Sequence, residues 1–211
     1  MMRGINVNIK GLLARIPSGG VGIELGVWKG GSSVKLLNST NPKMLHLVDS
    51  WSVEPYKETT EWTWEEYIQR YQELTGGFTE YDFQRYYDQV YTEVKNNFKD
   101  YSNVKVWRMT TDDFFDNHCL TEKWKSTGGR FNHDSDVVHD VDWVYVDASH
   151  SYEGVTRDLE NVLQIVKKDG KIFGDDYSDN KPQVRDAVKD FAKKHNFTVD
   201  VFSHNQYELR R

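Results

Sequence analysis

Apolar and polar positions form a repeated pattern along this chain, in which short apolar runs are followed by stretches of helical spacing. The runs predict five strands, at Val21–Leu25, 44–48, Val104–Arg108, Val141–Val146 and 171–174. The fourth run is apolar at nearly every position, which is typical of a strand buried on both faces. Residues 197–202 and 206–210 predict a closing antiparallel hairpin. Repeated β-α-β units with short connections predict an α/β fold, an open parallel sheet with helices on both faces.

Helices are predicted between these strands, and two of them begin near Gly31 and Thr111. The helix after the fourth strand is predicted to end at Gly170, a common C-terminal cap, and the last helix to begin at Pro182, a favoured first position. The apolar faces of these two helices are predicted to be Val155, Leu159, Val162 and Val166, and Val184, Val188 and Phe191.

Residues 52–101 interrupt the pattern, and we interpret them as an insert of two helices. Thr63 and Glu66 have the spacing of a capping box at the start of the first helix. Gly76 and Gly77 predict its end, and Thr79 is a candidate cap for the second helix. The predicted apolar faces are Trp64, Ile68 and Tyr71 on the first helix, and Phe83, Tyr87, Val90, Val94 and Phe98 on the second.

The insert is both acidic and aromatic. Residues 52–101 contain 11 acidic residues against 5 lysines and arginines, so this segment accounts for the whole net charge of −6. An acidic surface is a poor match for a phosphate backbone, so we expect no nucleic-acid partner. Some aromatic residues fall off the predicted faces and either cover a pocket or contact another subunit in a homo-oligomer: Trp62, Tyr67, Tyr81, Tyr86 and Tyr91.

The length of 211 residues predicts a single domain over residues 1–211, with a second insert, a surface loop, at about 117–140. The single cysteine, Cys119, excludes an intramolecular disulfide and is predicted to lie on a polar loop edge. No apolar run is long enough for a signal peptide or a membrane span, so we expect a cytoplasmic protein without a membrane partner.

The segment after the first strand carries the first chemical signal, an acidic residue, Glu24, followed by Gly26 and Gly30. Glycines in such a turn let the backbone approach a ligand closely, and the following helix offers free N–H groups to an anion. Asp49, at the end of the second strand, is placed to accept hydrogen bonds from ribose hydroxyls. Alone, the glycines also fit a turn that binds nothing. With Asp49 about 24 residues later, they predict a nucleoside site.

Two cofactors compete for this site, a nicotinamide dinucleotide and S-adenosylmethionine. The dinucleotide fingerprint requires a glycine where this chain has Trp28, whose side chain would obstruct the pyrophosphate. Glu24 is unfavourable beside a phosphate but suits the ammonium group of a methionine moiety. The residues therefore favour S-adenosylmethionine.

Three stretches together resemble class I S-adenosylmethionine-dependent methyltransferases: the glycine turn with Asp49, the run Asp-Ala-Ser-His-Ser-Tyr-Glu-Gly-Val from Asp147, and Gly-Asp-Asp-Tyr from Gly174. They are similar to bacterial small-molecule O-methyltransferases of the macrocin and sugar-modifying type, and to the related catechol O-methyltransferases. The resemblance covers most of the chain from Val21 onward, except the two inserts. It implies a doubly wound, mostly parallel sheet in a Rossmann-like domain, with strand order 3-2-1-4-5-7-6 and the last strand antiparallel.

The resemblance also implies which residues bind the cofactor. The methionine end would be lined by Glu24, Gly26, Gly30 and Ser32, the ribose by Asp49, and the adenine by Thr111 and Asp112.

Three aspartates match the magnesium ligands of these enzymes: Asp147, Asp175 and Asp176. Carboxylates that converge on adjacent strand ends repel one another, and a hard divalent cation such as Mg²⁺ relieves the repulsion. Aspartates at strand ends also cap turns, however. Neighbours on a regular strand point to opposite faces, so Asp175 and Asp176 share a metal only where the strand bends.

His150 stands where the catechol enzymes have a lysine base, and with Asp147 it forms the predicted catalytic pair. A hydroxyl bound to a metal becomes more acidic, and a neutral histidine nearby can remove its proton. A structural or substrate-binding role for His150 is the alternative.

We therefore expect a Mg²⁺-assisted O-methyltransferase that acts on a small hydroxylated molecule, sugar-like or phenolic. One alternative is a NAD-dependent oxidoreductase, which Trp28 disfavours. Another is an N-methyltransferase of nucleic acid, but the turn after strand four lacks the usual Asn/Asp-Pro-Pro-aromatic pattern. A third is a non-catalytic domain that binds S-adenosylmethionine and interacts with a partner through its aromatic insert.

Overall fold

The computed structural model of the protein describes residues 8–55, 63–119, 121 and 137–211. Within them, seven strands form one sheet: β1 (Val21–Leu25), β2 (Met44–Asp49), β3 (Val104–Arg108), β4 (Val141–Val146), β5 (Val166–Gly174), β6 (Thr198–Val201) and β7 (Tyr207–Arg210). Their order is β3-β2-β1-β4-β5-β7-β6. Strand β7 runs antiparallel to β5 and β6, and the other neighbouring pairs are parallel. The implied strand order and the antiparallel last strand are confirmed.

Helices cover both faces of this sheet: α1 (Lys10–Leu13), α2 (Gly31–Thr40), α3 (Trp64–Thr75), α4 (Glu80–Phe98), α5 (Thr111–His118), α6 (Tyr152–Ile165) and α7 (Pro182–His195). Successive residues of a strand face opposite sides, so each face has its own core. In β4, Trp143 and Tyr145 pack with α1 to α4, whereas Val144 and Val146 pack with α5 to α7. Among the described residues, no helix is long and apolar enough to cross a membrane.

Both insert helices begin where the sequence predicts, and the first also ends where predicted. Thr63 with Glu66, and Thr79 with Asp82, form capping boxes at the starts of α3 and α4. Gly76 ends α3 in the left-handed conformation. The buried face of α4 is the predicted one: Phe83, Tyr87, Val90, Val94 and Phe98.

The predicted face of α3 packs against the core, but the most buried residue of this helix is Tyr67, which was predicted to lie off this face. Tyr67 is buried, whereas Trp64, Ile68 and Tyr71 are only partly buried. The Tyr67 ring packs 5.4 Å from the ring of Phe83, and its hydroxyl shares a 2.5 Å hydrogen bond with the hydroxyl of Tyr87. A tyrosine can be buried when its hydroxyl has such a partner, and hydrophobic spacing alone does not reveal that partner.

The predicted end of the helix after β4 is wrong. Helix α6 ends at Ile165, and β5 begins at Val166, which pairs with Val141 of β4. Gly170 lies inside the strand rather than at a helix end. A Cβ on Gly170 would lie 3.0 Å from the carbonyl oxygen of Val141, so this glycine permits close contact between β5 and β4.

Cys119 is fully buried in the core beside α5, not on a polar loop edge as predicted. Its backbone forms an isolated bridge with Val138, and burial raises the pKa of its thiol. Most of the predicted loop at 117–140, like Trp62 of the insert, lies outside the described residues.

Gly26 is a position where the fold has no room for a side chain. Its φ is +87°, and a Cβ would lie 1.9 Å from the carbonyl oxygen of Asp147. Gly19 has a similar φ of +78° but no atom within 4 Å of the corresponding Cβ position. We expect Gly26→Ala to lower the free energy of unfolding by about 3 kcal/mol or more and Gly19→Ala by about 1 kcal/mol, because only the first adds a backbone clash to the strain.

Urea unfolding followed by circular dichroism measures both losses. Equal losses in the two variants would contradict the close approach of Gly26 to Asp147.

Candidate active site

A cleft of about 640 Å³ lies at the C-terminal ends of the parallel strands. Its walls come from the turns after β1, β2, β3, β4 and β5 and from the insert helices α3 and α4. This edge is where open α/β sheets bind their ligands, and the volume is typical of a small-molecule site.

The carboxylate of Asp49 holds the glycine turn in place. Its Oδ2 accepts hydrogen bonds from the backbone N–H groups of Val27 at 3.0 Å and Trp28 at 2.8 Å, and its Oδ1 accepts from Trp51 at 2.8 Å. Burial raises the pKa of Asp49, and the three N–H groups partly offset that rise. Asp49 lines the cleft, so the predicted ribose ligand is also the residue that shapes the turn.

Glu24 lies beneath the cleft and not on its wall. It is fully buried, and its two carboxylate oxygens accept hydrogen bonds from the hydroxyls of Ser32 and Ser33 at the start of α2. Burial raises the pKa of Glu24 to about 7. Of the residues predicted to bind the methionine end, Gly26 and Ser32 line the cleft, whereas Glu24 and Gly30 do not.

The predicted adenine contacts, Thr111 and Asp112, lie on the cleft wall at the start of α5. Asp112 forms an ion pair with Arg157 of α6, with 3.2 Å between Oδ2 and Nε. The hydroxyl of Thr111 hydrogen-bonds the buried Asp158, whose pKa is raised to about 7 by burial. Sequence reasoning missed Arg157. Its position in the first turns of the helix after β4, at the ligand-binding edge of the sheet, is the signal that could have found it.

Asp147, His150 and Asp176 come together at the ends of β4 and β5, with one potential ligand atom from each lying within 4.8 Å of the others. The His150 Nε2 atom lies 2.9 Å from Asp176 Oδ2. On the other side of the ring, Lys181 Nζ lies 3.1 Å from His150 Nδ1. Lys181 precedes the predicted start of the last helix, and sequence reasoning gave it no role.

Asp175 is adjacent to this cluster but turned away from it. Its Oδ2 accepts hydrogen bonds from the Tyr145 hydroxyl at 2.6 Å and from Gln206 Nε2 at 3.4 Å, and its Oδ1 accepts from the Asp176 N–H at 2.8 Å. The chain bends at Asp176, whose φ is +62°. The two neighbouring aspartates therefore have separate surroundings.

The cluster has an excess of negative charge. Burial raises the pKa of Asp147 well above its ordinary value, and repulsion from Asp175 and Asp176 adds to the rise. The hydrogen bond from His150 holds the pKa of Asp176 below its ordinary value. An added positive charge near Asp147 would therefore be favourable.

The insert forms one wall of the same cleft through a group of mostly aromatic side chains: Tyr67, Tyr71, Leu74, Thr75, Tyr86 and Tyr87. Two of the aromatic residues predicted either to cover a pocket or to contact a subunit, Tyr67 and Tyr86, thus cover the pocket. Tyr81, by contrast, is 72% exposed in the first turn of α4, and Phe78, just before the Thr79 cap, is 68% exposed.

Residues 23–177 match the family described as methyltransferase domain, over more than half of the chain. The chain belongs to this methyltransferase family. Membership of this methyltransferase family supports S-adenosylmethionine as the cofactor and does not support the oxidoreductase alternative.

Solved structures with the same fold include several other methyltransferases. Precorrin-6y C5,15-methyltransferase from Geobacter metallireducens is 14% identical with a TM-score of 0.52, over 99% of this chain and 89% of that one. The O-methyltransferase NovP is 16% identical with a TM-score of 0.51, over 97% and 75% of the two chains. M. capricolum TrmK, in complex with the cofactor product S-adenosyl-homocysteine, is 8% identical with a TM-score of 0.51, over 97% and 67%. At these identities the likeness shows the fold alone. None of the curated proteins matches the sequence.

Because the carboxyl of Glu24 is buried, we expect the stability of this methyltransferase to depend on pH. Its pKa is raised from 4.5 to about 7 in the folded protein, so its contribution to stability is complete below about pH 4.5 and is lost as the pH rises through 7. Glu24→Gln has no such loss. Between pH 5 and pH 8 the free energy of unfolding of the wild type should therefore fall by on the order of 2 kcal/mol relative to the variant.

Urea unfolding of both proteins across this pH range measures the difference. A difference between wild type and Glu24→Gln that stays constant with pH would contradict a buried, readily protonated Glu24.

Proposed function

We propose that this methyltransferase transfers a methyl group to the hydroxyl oxygen of a small acceptor, sugar-like or phenolic, with the help of a divalent cation. The observation that carries the proposal is the cluster of Asp147, His150 and Asp176 in the cleft that also contains the glycine turn and Asp49. Two carboxylates and an imidazole at one end of a cofactor cleft are suited to removing a proton from a hydroxyl.

The cleft has the features that S-adenosylmethionine requires. Its volume of about 640 Å³ leaves room for a cofactor and a small acceptor. Gly31 and Ser32, at the N-terminus of the ten-residue helix α2, line it and present backbone N–H groups to a carboxylate. We propose that Asp49 binds the ribose and that Thr111 and Asp112 bind the adenine. When bound, S-adenosylmethionine supplies a methyl group that is already activated by its positively charged sulfur.

The donor set of the cluster fits a divalent cation. Asp147 and Asp176 offer the carboxylate oxygens that Mg²⁺ and Mn²⁺ prefer. Asp175 is the weakest of the three predicted ligands, because it does not line the cleft and the Tyr145 hydroxyl and the Asp176 N–H already occupy its oxygens. A cation held there would make an acceptor hydroxyl more acidic.

His150 is the proposed proton acceptor. Asp176, next to its Nε2, is placed to stabilise the positive charge that the ring gains when it takes a proton. The aromatic wall of the insert supports a planar or ring-shaped acceptor, since flat rings stack favourably on one another. The acidic insert supports a small molecule over nucleic acid, and its exposed residues Phe78 and Tyr81 are where we expect any contact between subunits.

Methyl transfer to a panel of hydroxylated acceptors, measured as release of S-adenosylhomocysteine, tests the proposal. We expect His150→Gln to lower turnover at least about 100-fold, the effect of losing a general base, with the affinity for S-adenosylmethionine within about threefold of wild type. His139→Gln is the matched control, because His139 is exposed and precedes β4, at the opposite edge of the sheet.

Asp176→Asn should lower turnover similarly, and a chelator should reproduce the loss in the wild type. Turnover that survives both the chelator and Asp176→Asn would contradict the cation. Tight binding of S-adenosylmethionine without turnover on any hydroxyl donor would favour the non-catalytic alternative.

A further inference from the structure

Lys181 is a cleft residue whose backbone is fixed at the start of α7. It is the N-cap residue, directly before Pro182. Its N–H donates to the carbonyl oxygen of Ser178 at 3.1 Å, and its carbonyl oxygen accepts from the N–H of Arg185 at 3.1 Å. These bonds hold the backbone while the side chain reaches the cleft wall, where its Nζ lies 3.1 Å from Nδ1 of His150.

This contact determines which nitrogen of His150 has a lone pair. An ammonium group has three donors and no acceptor, so Nδ1 must accept the hydrogen bond from Lys181. A neutral imidazole has one donor and one acceptor, so the ring proton is on Nε2. Nε2 is the atom that lies 2.9 Å from the Asp176 carboxylate, which is an acceptor. The three side chains therefore form a chain of hydrogen bonds, in which Lys181 donates to His150 and His150 donates to Asp176.

The direction of these two hydrogen bonds determines where an acceptor hydroxyl has to bind. Only Nδ1 can take a proton, because Nε2 already has one and faces a carboxylate. Nδ1 is the nitrogen next to which the Lys181 ammonium lies. An oxygen that approaches Nδ1 must therefore also come within reach of Lys181.

We propose that Lys181 is a further catalytic residue, which directs the acceptor oxygen onto Nδ1 of His150. In the substrate-free protein its ammonium keeps the Nδ1 lone pair facing the cleft. When the acceptor binds, the ammonium donates to the acceptor oxygen instead and stabilises the negative charge that develops there. This inference rests on the proposed function, since it assigns the approach of the hydroxyl in that reaction.

The step balances in protons and electrons. The acceptor hydroxyl gives its proton to Nδ1 of His150, and an electron pair of its oxygen forms the new bond to the methyl carbon. The bond from that carbon to sulfur breaks with its electron pair remaining on sulfur, which becomes a neutral thioether. His150 is left as an imidazolium beside the Asp176 carboxylate, and Lys181 keeps its charge throughout.

The contact is testable in the full chain without an acceptor. Nitrogen-15 NMR of protein labelled at histidine reports the hydrogen bonding of each ring nitrogen, and His150→Gln assigns the His150 signals. We expect an unprotonated Nδ1 that accepts a hydrogen bond and a protonated Nε2. In Lys181→Met the Nδ1 signal should move toward that of a nitrogen without a hydrogen bond, and Lys181→Arg should restore most of the shift.

Lys193→Met is the matched control, because Lys193 is an exposed lysine in the last turn of the same helix. Thermal unfolding of each variant identifies any that fails to fold. If Lys181→Met does not fold, the Nδ1 signal of Lys181→Arg is compared with that of the wild type instead. A protonated Nδ1 in the wild type, or an Nδ1 signal that Lys181→Met does not move, would overturn the inference.

A second experiment measures kcat with any hydroxyl acceptor that shows turnover with the wild type. Lys181→Met should lower kcat at least about tenfold without changing the affinity for S-adenosylmethionine, and Lys181→Arg should recover part of the loss. An unchanged kcat in Lys181→Met would overturn the inference. Absence of turnover with every acceptor would count against the proposed function, while the NMR result still decides the contact between Lys181 and His150.

Discussion

The close approach of two backbone turns, after β1 and after β4, is the constraint on which the site depends. The Asp147 N–H donates to the carbonyl oxygen of Leu25 at 2.8 Å. The Gly26 N–H donates to the carbonyl oxygen of Val48 in β2 at 2.9 Å. Only a glycine fits at Gly26, because any side chain would meet the backbone of Asp147. The same contact therefore joins the glycine turn to Asp147, the first acid of the proposed catalytic cluster, and a shift in one turn would displace the other.

The insert depends on this region through Trp51, at the end of β2. Its backbone N–H donates to Asp49, and its indole N–H donates to the carbonyl oxygen of Trp28 at 2.8 Å. Its own carbonyl oxygen accepts from Gln84 of α4 and from Arg108. One buried residue thus connects the glycine turn, the predicted ribose ligand and the longer insert helix. The aromatic wall is in this way attached to the glycine-turn side of the cleft.

Much of the fold follows from local sequence. The capping residues Thr63 and Thr79 fix the starts of α3 and α4, and the β-α-β pattern with the family resemblance gives the sheet order. These signals are reliable because they act over a few residues. The predicted end of α6 is wrong because Gly170 serves the packing of β5 against β4, a contact between segments far apart in the sequence.

The site was less predictable, because its residues are selected by tertiary contacts. Asp175 and Asp176 are neighbours in the sequence, but the bend at Asp176 and the Tyr145 hydroxyl separate their surroundings. Glu24 was expected at the methionine end, but its carboxylate is taken by two serine hydroxyls below the cleft. Lys181 carries no motif, and only the folded chain brings it to His150.

We propose that S-adenosylmethionine binds in this cleft beside the glycine turn and Asp49, next to the cluster of Asp147, His150 and Asp176. Calorimetric titration of the full chain with S-adenosylmethionine, and separately with NAD, tests it most directly. We predict micromolar binding of S-adenosylmethionine that Asp49→Ala weakens at least about tenfold, and no binding of NAD. Binding of NAD, or no binding of S-adenosylmethionine, would contradict the account.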